Sequence, residues 1–212
     1  MRVKISLFFC LFLACLVAQA QAFEGKISFL RTTTIDSSTQ TKTVAIYAKM
    51  QKVRIDFLAD ENATTPYISR IADGETKEIA VLSHLYGENN ALKTKLKPLE
   101  PAFGCSTRAD STQKMEILGY NCIQVTTQTP EAKIVSWIAP IAIDYNRLIA
   151  VFMGMNEGLL PQNALGIPLK TTIYETQTSR ITQITATKVE PQPLAAFLFE
   201  IPPHYQLKTM AE

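Results

Sequence analysis

The chain has 212 residues, with 21 Lys and Arg against 19 Asp and Glu. Without residues 1–22, which carry two basic residues and no acid, it keeps 19 of each sign and is formally neutral. This balance argues against nucleic acid or an anionic membrane surface as the main partner, and roughly 190 residues suit one domain with a sizeable core. No later apolar stretch reaches the roughly 20 residues needed to span a bilayer.

Residues 1–22 have the pattern of a cleaved signal peptide. A basic start precedes an apolar run over residues 5–18, and Ala20 and Ala22 stand at the −3 and −1 positions of a signal-peptidase site. We therefore predict cleavage after Ala22 and a periplasmic or secreted product. A lipoprotein signal acylated at Cys15 is the main alternative, although the apolar run continues past that residue. An uncleaved anchor fits a run this short less well.

Cysteine usage follows from this cleavage. Only Cys105 and Cys122 remain in the mature chain. In an oxidising compartment they indicate one disulfide, which would close a loop of about 18 residues and contribute roughly 3 kcal/mol in the chain-entropy model. A reactive thiol is the functional alternative, but the chain has no Cys-x-x-Cys and neither cysteine has a histidine within ten residues.

Short runs of strand type, separated by turns, dominate the rest of the sequence. The clearest is residues 51–57, where Val53, Ile55 and Phe57 alternate with charged residues, as in a strand with one buried face. A hairpin turn is predicted about Asp73-Gly74, and residues 87–108 have the pattern of an extended loop. Strands are predicted over residues 23–34, 43–48, 51–57, 67–72, 78–82, 114–118, 120–128, 132–139, 166–175, 179–189 and 197–201.

One segment has the pattern of an amphipathic helix that begins at Asp144 and ends near Gly158. Its apolar positions are Tyr145, Leu148, Ile149, Phe152 and Met153. Such a helix packs its apolar face on a sheet or forms a lid over a hydrophobic cavity. We expect a mainly β fold in a single domain over residues 23–212. Its antiparallel sheet of about ten strands would be strongly curved or an unclosed barrel, with one or two covering helices.

No catalytic or metal-binding motif stands out. The mature chain has only His84 and His204, without a second ligand at metal spacing, and it lacks HExxH, GxSxG and a glycine-rich phosphate loop. Two carboxylates could still meet in space from distant positions. Lys93, Lys95 and Lys97 alternate, which would protect a sheet edge or contact an acidic lipid headgroup or partner. We predict no metal, no cofactor and no enzymatic activity.

Several short stretches resemble one family in their order and spacing. They are Phe23-Glu24-Gly25-Lys26-Ile27, Lys52-Val53-Arg54-Ile55, Leu118-Gly119-Tyr120-Asn121-Cys122, Ser136-Trp137-Ile138-Ala139, Leu165-Gly166-Ile167-Pro168-Leu169 and Phe199-Glu200-Ile201-Pro202-Pro203-His204-Tyr205. Together they resemble an exported bacterial domain of unknown function (4412 type) related to the lipoprotein carriers LolA and LolB. The resemblance implies an unclosed antiparallel barrel around an apolar interior, with helical segments as a lid. In the carriers that interior holds acyl chains. No catalytic residue is implied.

These observations favour a periplasmic, non-enzymatic protein that binds a lipid, an acyl chain or another hydrophobic ligand inside a half-barrel. The candidate lining residues are Ile27, Phe29, Ile46, Val53, Ile55, Phe57, Trp137, Leu148 and Phe152. The same side chains would fill a solid core in the alternative, a non-catalytic structural or interaction module of the cell envelope with a protein partner. For Trp137 both interpretations apply, because its strand is apolar on both faces. An enzyme of unrecognised type is the third option.

Overall fold

The computed structural model describes residues 22–59, 62–85, 88–95, 104–142 and 166–209. They form twelve strands and one short 3₁₀ helix, Ala196–Phe199. The strands are β1 (Gly25–Ile35), β2 (Ser38–Lys49), β3 (Lys52–Leu58), β4 (Ile68–Asp73), β5 (Glu78–Leu85), β6 (Glu88–Lys95), β7 (Ser106–Ile117), β8 (Tyr120–Gln128), β9 (Ala132–Ala139), β10 (Ile167–Glu175), β11 (Ile181–Pro191) and β12 (Gln206–Thr209). Within the described ranges, no helix is both long enough and apolar enough to cross a membrane.

All twelve strands belong to one curved sheet, in the order β12-β6-β5-β4-β3-β2-β1-β11-β10-β9-β8-β7. Every neighbouring pair is antiparallel except β12 and β6, which run parallel. The terminal strands of this order do not pair with each other, so the sheet is unclosed. The predicted mainly β, unclosed architecture is confirmed, with twelve strands instead of about ten.

The strand prediction differs from the structure at several places: β7 begins at Ser106, not at residue 114, and β12 was not predicted. Part of the predicted loop over residues 87–108 is β6, whose single fully buried side chain, Ala91, gives almost no alternation to recognise. The predicted strand over residues 197–201 overlaps the 3₁₀ helix instead. The predicted signal peptide up to residue 21 and the predicted helix over residues 144–158 lie outside the described residues, so the covering helices stay a prediction.

One face of the central strands, here called the core face, carries the main hydrophobic cluster. Ile27 and Phe29 on β1, Ile46 on β2 and Val53 and Ile55 on β3 are completely buried there. The β1–β2 and β2–β3 registers place Ile27 opposite Ile46 and Ile46 opposite Ile55. Because directly opposed side chains on one face pack together, the alternation read from β3 extends across three strands.

The other face of the same strands, here called the strap face, is covered by the segment over residues 192–205, the strap. A second cluster unites Ile71, Leu82 and neighbouring residues of the sheet with Leu194 and Phe199 of the strap. The strap therefore gives the sheet two buried faces in this region. This is why β3, predicted to have only one buried face, also has the buried Asp56 on its polar side.

No disulfide joins Cys105 and Cys122, so the predicted bond is corrected: both are thiols. In the β7–β8 ladder, Met115 pairs with Cys122 whereas Ser106, next to Cys105, pairs with Gln128. Six residues of β8 thus separate Cys122 from the position opposite Ser106, which corresponds to about 20 Å of strand. A disulfide needs Cα atoms within about 7 Å of each other.

Candidate functional site

The structure brings most of the predicted lining residues together. Ile27, Phe29, Ile46, Val53 and Ile55 belong to one cluster on the core face and have no exposed surface. Phe57 is partly buried and packs against the same cluster from the end of β3. Leu148 and Phe152 lie outside the described residues.

Trp137 takes a different position from the other predicted lining residues. Along β9, every second residue from Ala132 to Ile138 is buried, and Trp137 alternates with these positions. It therefore lies on the opposite face of this strand, paired with Gln124 of β8 and Lys170 of β10. Its side chain is partly buried and still packs against the main cluster.

A cavity of about 370 Å³ lies where the core face meets one end of the central strands. Its apolar wall includes Val44 and Phe57, which continue the core face, together with Ile68 of β4. The complete lining consists of Arg31, Thr33, Ile35, Gln40, Lys42, Val44, Phe57, Tyr67, Ile68, Arg70 and Arg180. An apolar surface thus runs from the core into a cavity that also carries four basic side chains, Arg31, Lys42, Arg70 and Arg180. We call it the basic cavity.

Strand register explains why these cations meet. Arg31 on β1 pairs directly with Lys42 on β2, one position of the core face beyond the Phe29–Val44 pair. Arg70 on β4 pairs with the core residue Ile55. All of these positions share the core face because side chains at every second residue of a strand point to the same side.

Two aromatic rings position the cations of β2 and β4. Lys42 Nζ lies 5.3 Å from the centroid of the Tyr67 ring and 3.5 Å from its hydroxyl oxygen, to which it donates. Arg70 Cζ lies 5.6 Å from the Phe57 centroid, and the Phe57 and Tyr67 centroids are 6.5 Å apart. A cation within about 6 Å of an aromatic face is attracted by the ring, so the rings hold both charges at the apolar wall.

The basic residues of the cavity were not singled out by sequence reasoning. Each is an isolated cation in a strand-like run, and they lie between positions 31 and 180. A signal was nevertheless present, because Arg31 continues the phase of Ile27 and Phe29, and Lys42 continues the phase of Val44 and Ile46. Cations at the buried phase of two paired strands are unusual for a filled core.

Metal binding has no support in the part of the chain that the structure describes. Those residues contain no group of three or more His, Cys, Asp and Glu side chains able to hold an ion. Of the two histidines, exposed His84 has Nδ1 in contact with Asn89 Oδ1, and the ring of exposed His204 is tilted against that of Tyr205 with a centroid distance of 4.9 Å. Lys93 forms an ion pair with Glu78 at 2.8 Å on a strand with neighbours on both sides, so it does not protect a sheet edge.

No family model matches the chain, and no curated protein matches it significantly. Among solved structures, PNGF-II is similar in fold with a TM-score of 0.51 at 13% identity, over 88% of this chain and 31% of that one. This chain thus spans about a third of the PNGF-II chain. A LolA superfamily protein from Nitrosomonas europaea matches with a TM-score of 0.40 at 7% identity, over 84% of this chain and 90% of that one. MucB in complex with MucA(peri) matches with a TM-score of 0.46 at 12% identity, over 88% of this chain and 58% of that one.

Proposed function

We propose that this chain is an exported, non-catalytic binding protein that takes up a lipid, an acyl chain or another hydrophobic ligand. The observation that carries the proposal is the continuity of the core face with the basic cavity through Val44 and Phe57. Burial of an acyl chain against such a wall contributes about 0.8 kcal/mol for each CH₂ group, so micromolar binding corresponds to about ten fully buried methylenes.

The signal-peptide pattern supports a periplasmic location, and the resemblance of the short sequence stretches to the carrier-related family supports an apolar ligand. The fold offers the required surface because the buried side chains of β1, β2 and β3 on the core face are all aliphatic or aromatic. Ligand pockets are commonly apolar with a few convergent polar groups, and the basic cavity has this composition.

Native mass spectrometry on protein purified from a periplasm without detergent tests the proposal, with uptake of added dodecanol as a second readout. Ile68→Trp, which adds bulk to the cavity wall, should lower occupancy at least tenfold. Ile123→Trp is the matched control, because Ile123 lies on β8 and is 36% exposed. A mass of the protein alone, with no dodecanol uptake by the unsubstituted chain, would overturn the proposal.

A second candidate function, an interaction module of the cell envelope, is favoured by the position of β7 at one end of the sheet order. Most of its side chains are exposed, and no described strand pairs with its outer edge. An extended peptide could add to such an edge through backbone hydrogen bonds. Pro substituted at an outward-facing amide of β7 should abolish capture of an envelope partner but leave dodecanol uptake unchanged.

A further inference from the structure

The basic cavity concentrates positive charge without described acidic neighbours in its wall. Arg31, Lys42, Arg70 and Arg180 all line it, and none of the eleven lining residues is Asp or Glu. Arg180 forms an ion pair with Glu175 at 3.2 Å. Among the described residues, no carboxylate forms an ion pair with the other three cations. Among the described residues, the cavity therefore carries an excess of positive charge.

Two of these guanidinium groups have buried donors with no acceptor among the described residues. Arg31 Nε and Arg70 Nε are shielded from solvent, and neither donates a hydrogen bond to an atom in the described ranges. Buried polar groups are nearly always hydrogen-bonded, because an unpaired buried donor loses the hydrogen bonds that water provides when the chain is unfolded. Two such donors at one cavity are a feature that a bound acceptor would explain.

The strand register also pairs two residues of like charge. Arg31 and Lys42 stand directly opposite each other on the β1–β2 ladder, where like charges destabilise a sheet. The pKa of Arg31 is lowered, chiefly by burial; Tyr67 acts in the opposite direction, while Arg180 and Arg70 lower it further. An arrangement that costs stability in the protein alone and gathers cations at one cavity is typical of a binding site.

We infer that the basic cavity binds the oxyanion head group, a carboxylate or a phosphate, of an amphipathic ligand whose apolar part lies against Val44, Phe57 and Ile68. Guanidinium groups present planar sets of donors that match both kinds of oxyanion. The rings of Phe57 and Tyr67 position the cations beside the apolar wall, so head group and chain would be recognised by adjoining surfaces. The inference rests on the proposed function for its apolar half only.

Calorimetric titration of the mature protein with three probes tests the inference: dodecyl phosphate below its micelle concentration, uncharged dodecanol, and inorganic phosphate. Dodecyl phosphate should bind at least tenfold more tightly than dodecanol. Arg70→Gln and Arg31→Gln should each weaken dodecyl phosphate binding by about tenfold or more, a larger factor than either changes dodecanol binding. Arg108→Gln is the control with the same charge change, because Arg108 is exposed on β7.

Thermal unfolding shows whether each variant is still folded, so that lost binding is not confused with lost structure. Without ligand, Arg31→Gln should raise Tm by about 2–4 °C, since it removes a buried charge that Arg180 and Arg70 repel. If the variant unfolds at a lower Tm, the weaker substitution Arg70→Lys replaces it in the titration. A stable variant with unchanged dodecyl phosphate binding overturns the inference.

The three probes separate the possible failures. Equal affinity for dodecyl phosphate and dodecanol overturns the anion site while the proposed function stands. Binding of inorganic phosphate as tight as that of dodecyl phosphate supports the anion site, assigns it to a free anion and contradicts the proposed function. Binding of none of the probes contradicts both.

Discussion

Arg54 on β3 and Leu198 in the strap are joined by a hydrogen bond of 3.0 Å from Arg54 Nη1 to the Leu198 carbonyl oxygen. The same guanidinium donates from Nε to Asp56 Oδ1 at 2.7 Å, and Asp56 is only 7% exposed. A side chain from the polar phase of a strand thus fixes a segment more than 140 residues away in sequence.

Arg54→Ala should therefore destabilise the protein by about 3 kcal/mol, because it leaves Asp56 buried without its cation and releases the strap. Urea denaturation measures this change in the free energy of unfolding, provided that the variant and the unsubstituted chain have equal m-values. The control is Lys52→Ala on the same strand, whose ion pair with Asp73 at 3.4 Å is more exposed and should contribute less than about 1 kcal/mol. Equal losses for the two variants would contradict this role of Arg54.

Glu24 anchors the other end of the strap. Its Oε1 accepts from the backbone amide of Leu194 at 2.6 Å and lies 2.9 Å from Lys49 Nζ. These two hydrogen bonds hold the pKa of Glu24 below its usual 4.5, and the one from the Leu194 amide has the larger effect. Because the folded-state pKa is depressed, the stabilisation is present above about pH 4.5 and is lost as the pH falls through the folded-state pKa.

Thermal unfolding of Glu24→Gln should consequently show a lower Tm than the unsubstituted chain at pH 7 and a smaller difference at pH 3. The comparison between variants at each pH cancels the contribution of the other carboxylates. A difference of the same size at both pH values would show that the charge of Glu24 does not hold the strap.

Local alternation predicted the core face well, and long-range pairing limited the rest. Val53, Ile55 and Phe57 were predicted as the buried side of one strand, and β3 spans Lys52–Leu58. The intervening Arg54 and Asp56 fit a solvated face, yet Asp56 is buried because the distant strap covers it. Sequence alternation reports which side chains share a face but not what covers that face.

The basic cavity illustrates the same limit for the candidate site. Arg31, Lys42 and Arg70 come together only because β1, β2, β3 and β4 are neighbours in the sheet, and Arg180 joins them because β11 pairs with β1. The β1–β11 pairing connects segments about 150 residues apart, and no local sequence pattern predicts it. The sequence indicates on which face of its strand each cation lies, but it does not indicate that the cations meet at one cavity.

Phe29 tests how much the core face contributes to stability. Its side chain has no exposed surface, so Phe29→Ala should cost about 3–5 kcal/mol through lost burial and the cavity left behind. Phe197→Ala is the matched control, because that ring is 69% exposed and its removal should change stability by less than about 0.5 kcal/mol. Urea denaturation measures both. A loss below 1 kcal/mol for Phe29→Ala would mean that its surroundings collapse or are already loosely packed.

The two thiols give a chemical test of the cysteine arrangement. Cys122 is fully buried, its Sγ lies 3.5 Å from the Tyr120 carbonyl oxygen, and burial raises its pKa. Since the thiolate is the reactive form, native Cys122 should react with iodoacetamide at least about tenfold more slowly than Cys105, which is partly exposed. After denaturation without reductant, mass spectrometry should find both residues alkylated. Alkylation that appears only after reduction would show that the mature protein forms the Cys105–Cys122 bond. The pairing of β7 with β8 would then have to shift along the strands to bring the two residues together.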